Sequence, residues 1–237
     1  MPACLKTAAN WSTLLDQNKQ DRTSFEFPKW ANAIRIPVAL MAAGAPVYGL
    51  ALLYLAFAPG TTGVGYEPVQ PVEYSHALHA GELGIDCRYC HTGVEVGAAA
   101  TLPPTQTCMN CHATVKTGSE KLAPVRESFE TGMPVEWVRI HDLPDYAYFD
   151  HSAHVTRGVG CESCHGRIDQ MEVVSQFAGL NMGWCLGCHR LPEEHLRPVD
   201  QITIMGYEPA EEQMALGTRL REARNINPPV DCSTCHR

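Results

Sequence analysis

The segment Cys87-Arg88-Tyr89-Cys90-His91 contains a pattern, Cys-x-x-Cys-His, that recurs at four later places in the chain. The further copies are Cys108-Met109-Asn110-Cys111-His112, Cys161-Glu162-Ser163-Cys164-His165, Cys185-Leu186-Gly187-Cys188-His189 and Cys232-Ser233-Thr234-Cys235-His236. Two thiols at this spacing bond to the two vinyl groups of one haem, and the adjacent histidine becomes the proximal ligand of the iron. The pattern therefore predicts five covalently bound haems c, held by ten cysteines and five proximal histidines.

Zinc sites and redox-active dithiols are the alternative interpretations of a single copy of this motif. A zinc site uses cysteine thiolates in closed sets of four ligands, which does not explain a histidine directly after every second cysteine. A thioredoxin-like dithiol is expected once, near a βαβ pattern. Five copies therefore favour haem attachment. The leftover cysteine, Cys4, has no neighbouring cysteine or following histidine, and we interpret it as a free thiol.

Length and composition limit the remaining classes of function. The chain has 237 residues, a formal net charge of −8 and 45% hydrophobic residues. The negative charge argues against nucleic-acid binding, which needs a clustered basic surface, and the apolar share argues against disorder. Because the region from His76 to Arg237 is short for five haems, the haems must form most of its core. We expect a mostly α-helical and irregular, haem-cored fold with little sheet.

Six histidines lie outside the motifs and are candidates for the distal position on the second face of each iron. Four of them form two pairs, in Tyr74-Ser75-His76-Ala77-Leu78-His79 and in Phe149-Asp150-His151-Ser152-Ala153-His154. Imidazoles at i and i+3 lie on the same face of a helical turn. Since the proximal histidine already occupies one axial position, two histidines of one pair are expected to ligate two different haems.

The sequence offers several candidates for the fifth distal ligand. We select His141, which lies in Trp137-Val138-Arg139-Ile140-His141-Asp142, whereas His195 lies in a charged stretch and is interpreted as solvated. Met171 or Met182 is an alternative ligand at one iron. The distinction matters because His/Met ligation raises the potential of a haem.

An internal repeat organises the haem region. Residues 74–147 and 149–200 each supply one histidine pair followed by two haem motifs, and the fifth motif follows at 232–236. A repeat unit of this kind cannot bury its own haems and is expected to stack on its neighbour. One regular helix is predicted at Pro209–Arg224, because acidic residues in its first turn and arginines at its end suit the helix dipole.

A stretch without charged residues, 36–58, is long enough to be a transmembrane helix. Lysine and arginine precede this stretch, and neither occurs after it until Arg88. The positive-inside rule therefore places residues 1–35 in the cytoplasm and a haem domain at 76–237 on the periplasmic, outer side of a bacterial inner membrane. Glycines and prolines predict an extended linker at 59–75.

A cleaved signal peptide is the alternative interpretation of the same stretch. Ala56-Phe57-Ala58 resembles a cleavage site. However, the apolar run is longer than the hydrophobic region of a signal peptide, and Pro59 would follow the cut. A retained anchor, with a kink at Pro46, is therefore favoured.

Several segments resemble the pentahaem cytochrome c subunit of bacterial alternative complex III. They are residues 79–91, 103–112 and 141–145, together with 27–32, which resembles that family's approach to its membrane anchor. The resemblance covers about residues 25–237 and leaves 1–24 as an extension. The two units with histidine pairs are also similar to class III multihaem cytochromes.

The resemblance implies an electron-transfer subunit that is not catalytic alone. In alternative complex III an integral-membrane subunit is thought to hold the quinol site, and an iron–sulfur subunit lies outside, often beside a monohaem cytochrome c. The pentahaem chain then relays electrons towards a periplasmic cytochrome c, a copper protein or a terminal oxidase. The partners implied for this chain are these proteins and the lipid bilayer.

Two other functions are weighed against this relay. A stand-alone membrane-anchored quinol dehydrogenase feeding periplasmic reductases also has an N-terminal anchor, but that type carries four haem motifs, the first close to the anchor. A multihaem reductase of nitrite or a sulfur oxyanion needs an open iron. The spare histidines suffice to cap every iron here, and all five motifs keep their histidine.

Overall fold

The computed structural model describes residues 27–236, and Cys4, the extension 1–24 and Arg237 lie outside them. The described residues form short helices joined by irregular segments, and their only strand-like pairs are two isolated bridges, Ala147–His236 and Val159–Leu196. The α-helices are α1 (Trp30–Ala33), α2 (Arg35–Phe57), α3 (Pro59–Thr62), α4 (Cys87–Cys90), α5 (Thr105–His112), α6 (Ala123–Thr131), α7 (His151–Val155), α8 (Glu162–His165), α9 (Met182–Arg190), α10 (Gln213–Ala223) and α11 (Cys232–Cys235). A π-helix spans Ala77–Glu82, and 3-10 turns span Glu120–Leu122, Ile168–Gln170, Pro192–Glu194 and Val199–Gln201.

The N-terminal helix α2 coincides with the predicted anchor, displaced by one residue at each end, and it continues through Pro46. The helical stretch Trp30–Phe57 contains an 18-residue window with a mean hydropathy of 1.9 and is the one helix of the described residues that is long and apolar enough to cross a membrane. None of its residues is buried by other parts of the protein. An apolar helix without protein cover fits membrane anchoring.

The segment after the anchor begins with a helical turn, α3, before it becomes extended. It then runs along a later part of the chain: the Gly65 amide donates to the Gln176 carbonyl at 2.8 Å, and the Gln176 amide donates to Tyr66 at 3.1 Å. Gly63 adopts φ +72°, and a Cβ there would lie 2.9 Å from Oε1 of Gln176. Only glycine suits both this backbone conformation and this close approach. The predicted linker is therefore packed against residues 176–179 rather than free.

A small side-chain core lies at the C-terminal end of the described residues. Leu196, Leu216, Leu220 and Ile226 form its buried cluster. Among the described residues only nine hydrophobic side chains are buried, and of these only Leu196 and Ile202 are fully buried. This small number agrees with a fold in which bound haem, rather than side chains, fills most of the interior.

Helix α10 carries half of this core, and it begins later than the sequence predicted. The expected range was Pro209–Arg224, but the helix begins at Gln213 because the Glu212 carboxylate caps it. That carboxylate accepts hydrogen bonds from the amides of Met214 and Ala215 at 2.9 and 2.8 Å. The acidic side chain thus acts as an N-cap that ends the irregular segment instead of extending the helix backwards.

We expect Gly217→Ala to destabilise the part of the chain that contains α10, although alanine normally stabilises a helix relative to glycine. Gly217 is buried in α10, and a Cβ there would overlap the backbone of Glu193 in the turn that packs on this helix. Because the new Cβ pushes the helix and the turn apart, the free energy of unfolding should fall by about 2 kcal/mol. The measurement is the unfolding midpoint of the haem-loaded protein in detergent. The control is Gly118→Ala, where no atom lies within 4 Å, and equal midpoints for the two variants would contradict the packing argument.

Candidate haem-binding sites

Each of the five motifs includes a short helix, which begins at or shortly before the first cysteine in four of them and at Glu162, one residue after Cys161, in the third. Side-chain caps start three of these helices. The carboxylates of Asp86 and Asp231 accept from the amides two and three residues later, at 2.8 and 3.2 Å, and the Asn181 side chain accepts from the Trp184 amide at 3.0 Å. Because cysteines at i and i+3 share a helix face, each cap helps to present both thiols in the same direction.

None of the ten motif cysteines forms a disulfide, so all of them are available for bonding to haem. No group of three or more His, Cys, Asp or Glu side chains within residues 27–236 is arranged to hold a metal ion. The two thiols of each motif therefore stand apart from any closed four-ligand set of the kind that structural zinc needs. The donor set of one motif, two thiols and an imidazole, fits haem c.

Four of the five proximal histidines have a fixed ring orientation. In each, Nδ1 lies within hydrogen-bond distance of a backbone carbonyl, which only accepts, so Nδ1 carries the proton. The four contacts are His91 to Thr101 at 2.8 Å, His112 to Val115 at 3.0 Å, His189 to Pro229 at 2.6 Å and His236 to Tyr146 at 3.1 Å. The lone pair of Nε2 is left free for a metal, as in histidines whose second nitrogen is held by a carbonyl.

Three of the four paired histidines have the same arrangement. Nδ1 of His79 donates to the Ser75 carbonyl at 2.8 Å and Nδ1 of His154 donates to the Asp150 carbonyl at 2.7 Å, in each case four residues back. Nδ1 of His151 donates to the Ala98 carbonyl at 2.7 Å. These side chains are therefore prepared as neutral ligands through Nε2, although none belongs to a Cys-x-x-Cys-His motif.

The distances between rings connect two paired histidines with particular motifs. Two imidazoles on opposite faces of one metal ion have ring centres roughly 6 Å apart, from two bonds of about 2 Å plus the ring radii. His79 and His112 lie 6.2 Å apart, and His154 and His189 lie 6.1 Å apart. In both repeat units the second histidine of the pair thus stands opposite the proximal histidine of the second motif, at a spacing suited to one iron.

Several imidazoles surround the third motif. His151 lies 6.5 Å from His165 with nearly parallel rings, at 10°, which also suits one iron. His141 lies only 4.5 Å from His165. That spacing is too short for an iron between the two rings, so these two histidines do not form an axial pair in this geometry. The role of His141 as the fifth distal ligand stays a prediction.

Burial favours the neutral forms of His165 and His76. It lowers the pKa of His165 to about 3, with His141 and His151 as the next largest causes, and it lowers the pKa of His76 to about 4, with His91 next. Nδ1 of His76 and Nε2 of His141 are buried without a hydrogen-bond partner. A buried ring nitrogen normally has a bonding partner, and a haem iron would supply one.

The remaining candidate ligands, one histidine and two methionines, make none of the ring contacts described above. His195 follows the 3-10 turn Pro192–Glu194 and, within the described residues, faces no motif histidine. Met182 begins α9 with 66% of its surface exposed, and the Met171 carbonyl accepts from the Ala77 amide at 3.0 Å, beside the first histidine pair. The methionine alternative at one iron therefore stays a prediction.

Arg197 is a buried cation beside the third motif that was not predicted from the sequence as a functional residue. Its guanidinium lies 4.6 Å above the Tyr207 ring and donates to the Ile204 carbonyl at 2.9 Å. It occupies the space in which Gly160, directly before Cys161, would have a Cβ. In the sequence, Gly160 was the one sign that another side chain lies so close to the third motif.

The first three motifs touch one another in an order that differs from the order along the chain. The amide of Asn110 in the second motif donates to the hydroxyl of Tyr89 in the first at 3.0 Å. The Cys161 thiol is the largest cause of the raised pKa of Cys87, ahead of burial, so the thiols of the first and third motifs are neighbours. The first motif therefore lies between the second and the third.

The third, fourth and fifth motifs continue this series. Burial raises the pKa of the Cys164 thiol to about 12, and the next causes are the fourth-motif thiols of Cys188 and Cys185. Burial also raises the pKa of Cys185, followed by the nearby fifth-motif thiol of Cys235. Together with the bond from His189 to Pro229, shortly before the fifth motif, these contacts give the spatial order second, first, third, fourth, fifth.

Comparisons with known proteins agree with this donor set. Residues 139–166, which contain His141, the second histidine pair and the third motif, match the family described as cytochrome c554 and c-prime. The chain is 36% identical over 97 residues to the multihaem cytochrome c subunit of a menaquinone reductase from Nitratidesulfovibrio vulgaris. That match spans 40% of this chain and 45% of the relative.

These findings confirm the predicted fold class. The described residues are mostly helical and irregular without a sheet, and they begin with one apolar helix. The similarities are to multihaem c-type cytochromes. The fold is of the expected mostly helical and irregular class, and the similarity to c-type cytochromes implies covalently bound haem c.

Proposed function

We propose that the chain is a membrane-anchored pentahaem cytochrome that relays electrons in a quinol-linked respiratory or photosynthetic complex. The more specific role is that of the pentahaem subunit of alternative complex III, between its quinol-oxidising part and a periplasmic acceptor or terminal oxidase. The contact series of the five motifs carries this proposal, because each motif has a neighbour close enough for the attached groups to be adjacent.

A haem bound at each motif would supply a one-electron Fe(III)/Fe(II) couple, and an array of such groups would suit stepwise transfer of the two electrons of a quinol. The protein's own groups hold this array in place. Seven histidines donate Nδ1–H to carbonyls and present Nε2, which favours six-coordinate irons without an open position for substrate. Such capping suits electron transfer rather than catalysis at iron.

The proposed partners follow from the same role. They are an iron–sulfur subunit, an integral-membrane quinol-binding subunit and, beside them, a monohaem cytochrome c. The relative is itself the multihaem subunit of a menaquinone reductase, which supports a position beside other subunits of a quinone-linked complex. The apolar helix Trp30–Phe57 supports attachment to the bilayer, with the haem domain on the periplasmic side by the charge rule.

The coordination state of the irons tests the relay. We expect the purified complex to show only low-spin haem from this chain, in both electron paramagnetic resonance (EPR) and optical spectra, and no binding of carbon monoxide to the reduced form. Mass spectrometry of the chain should give five haems. A high-spin haem that binds carbon monoxide would contradict the relay and favour a reductase with an open iron.

A second candidate function reverses the direction of electron flow. The similarity to a menaquinone reductase subunit favours a chain that carries electrons from a periplasmic donor towards the quinone pool. The purified complex distinguishes the two directions. Reduction of the haems by a menaquinol analogue, followed by oxidation by an added soluble cytochrome c, supports quinol oxidation. Quinone reduction by a periplasmic donor, without the quinol reaction, supports the reverse function.

A further inference from the structure

Each histidine pair contacts one aromatic ring that precedes it by two residues. Tyr74 stacks on His79, with ring centres 4.4 Å apart and planes at 22°. The same ring meets His76 edge to face, at 4.7 Å and 82°. One side chain therefore fixes the faces of two imidazoles at once.

The second repeat unit reproduces this arrangement with a different residue. Phe149 stacks on His154 at 4.5 Å and 30° and meets His151 at 4.7 Å and 86°. The four distances agree between the units within 0.1 Å, although one histidine pair lies at a π-helix and the other in the α-helix α7. The shared feature is thus the aromatic ring on the imidazoles rather than the type of helix.

A second restraint acts on the same rings. Nδ1 of His79 and of His154 donates to the carbonyl four residues back, which fixes one edge of the imidazole. A single hydrogen bond still lets the ring swing about its Nδ1–O axis, whereas a stacked neighbour on its face opposes that movement. The combination holds both the tautomer and the plane of the ring, as outer contacts of metal-binding histidines do.

We propose that Tyr74 and Phe149 are positioning residues that set the planes of the distal imidazoles of His79 and His154 at their irons. This inference rests on the proposed ligation of haem by those histidines. The plane of an axial imidazole decides how it overlaps with the iron orbitals, so its orientation affects the spectrum and the potential of the haem. The aromatic ring therefore affects the spectrum and the potential of the haem without contacting the iron.

The hydroxyl group of Tyr74 is not required for this role. Phe149 occupies the equivalent place in the second repeat unit without a hydroxyl and makes the same two ring contacts. The repeat therefore provides its own control. Tyr74→Phe and Phe149→Tyr keep the ring, whereas Tyr74→Leu and Phe149→Leu remove it with little change in apolar volume.

The test uses EPR spectra of the oxidised, haem-loaded protein in its complex. Each leucine variant is expected to shift and broaden one low-spin signal while mass spectrometry still finds five haems, and the Phe and Tyr variants should match the parent protein. Phe129→Leu, an exposed ring on α6, controls for loss of an aromatic side chain elsewhere. Unchanged spectra in both leucine variants would overturn the proposal.

Two further comparisons keep the outcome decisive. The two repeat units give independent measurements, so the second unit decides if a variant of the first does not assemble. His79→Ala separates this inference from the ligation on which it rests. A changed spectrum for His79→Ala with an unchanged spectrum for Tyr74→Leu overturns the positioning role alone, whereas no change in either overturns the ligation as well.

Discussion

Replacing Cys185 and Cys188 together with serine is expected to remove one haem and to divide the remaining four into separate groups. The fourth-motif thiols lie near Cys164 of the third motif, and Cys185 of the fourth lies near Cys235 of the fifth. Without the haem of the fourth motif, the fifth haem loses its neighbour in the array. Electrons must then cross a much longer gap to reach the fifth haem. We expect the slowest haem to be reduced at least about tenfold more slowly than in the parent protein.

Stopped-flow reduction of the purified complex by a menaquinol analogue measures this effect. The parent chain should show its five haems reduced together in one kinetic phase, because electrons redistribute along the array. The variant should show two phases, one of which belongs to the group separated from the electron donor. Mass spectrometry confirms that one haem is missing and four are retained.

The matched control is removal of a terminal haem by Cys108→Ser with Cys111→Ser. The second motif lies at one end of the contact series, with the first motif as its neighbour. Its loss should leave four connected haems that are reduced in a single phase. If the two double variants behave alike, the fourth motif does not join the third and fifth, and the spatial order derived from the contacts is wrong.

Local sequence patterns predicted the parts of the structure that depend on near neighbours. The motif helices follow from the capping residues Asp86, Asn181 and Asp231 beside them, and the apolar helix Arg35–Phe57 follows from an uninterrupted apolar run. Even here the local signal was ambiguous for α10, since Glu212 suits both a first helical turn and an N-cap. The structure selects the cap.

Contacts between distant parts of the chain could not be read from spacing. The sequence predicted that two histidines of one pair ligate different irons, but only the folded chain places His154 opposite His189 and brings His141 against His165. The contact between Cys87 and Cys161 depends on how one repeat unit packs on the other. These arrangements follow from packing around a large cofactor, which leaves no periodic signal in the sequence.

Replacing a distal histidine is expected to open one iron. In His79→Ala the iron held by His112 loses the imidazole whose ring centre lies 6.2 Å from that of His112. We expect one of the five haems to become high-spin and to bind carbon monoxide in the reduced protein, while haem content stays unchanged because the thioethers remain. EPR and carbon monoxide difference spectra measure both effects.

His154→Ala should open a different iron, the one held by His189, by the same reasoning. The matched control is His195→Ala, because His195 follows a 3-10 turn and faces no motif histidine within the described residues. That variant should keep every haem low-spin. A high-spin signal in the control, or none in the other two variants, would contradict the assignment of ligands.

The double variant of one pair tests whether its two histidines serve two irons. His76 and His79 both contact Tyr74, yet their rings face different groups: His79 lies against His112, and the pKa of His76 is lowered by burial and then by nearby His91. If each ring ligates its own iron, His76→Ala combined with His79→Ala should give two high-spin haems, the sum of the single variants. A single high-spin haem in the double variant would mean that only one member of the pair is a ligand. The fixed pattern aromatic-x-His-x-x-His would then hold one iron, and its second histidine would have a packing role beside the aromatic ring.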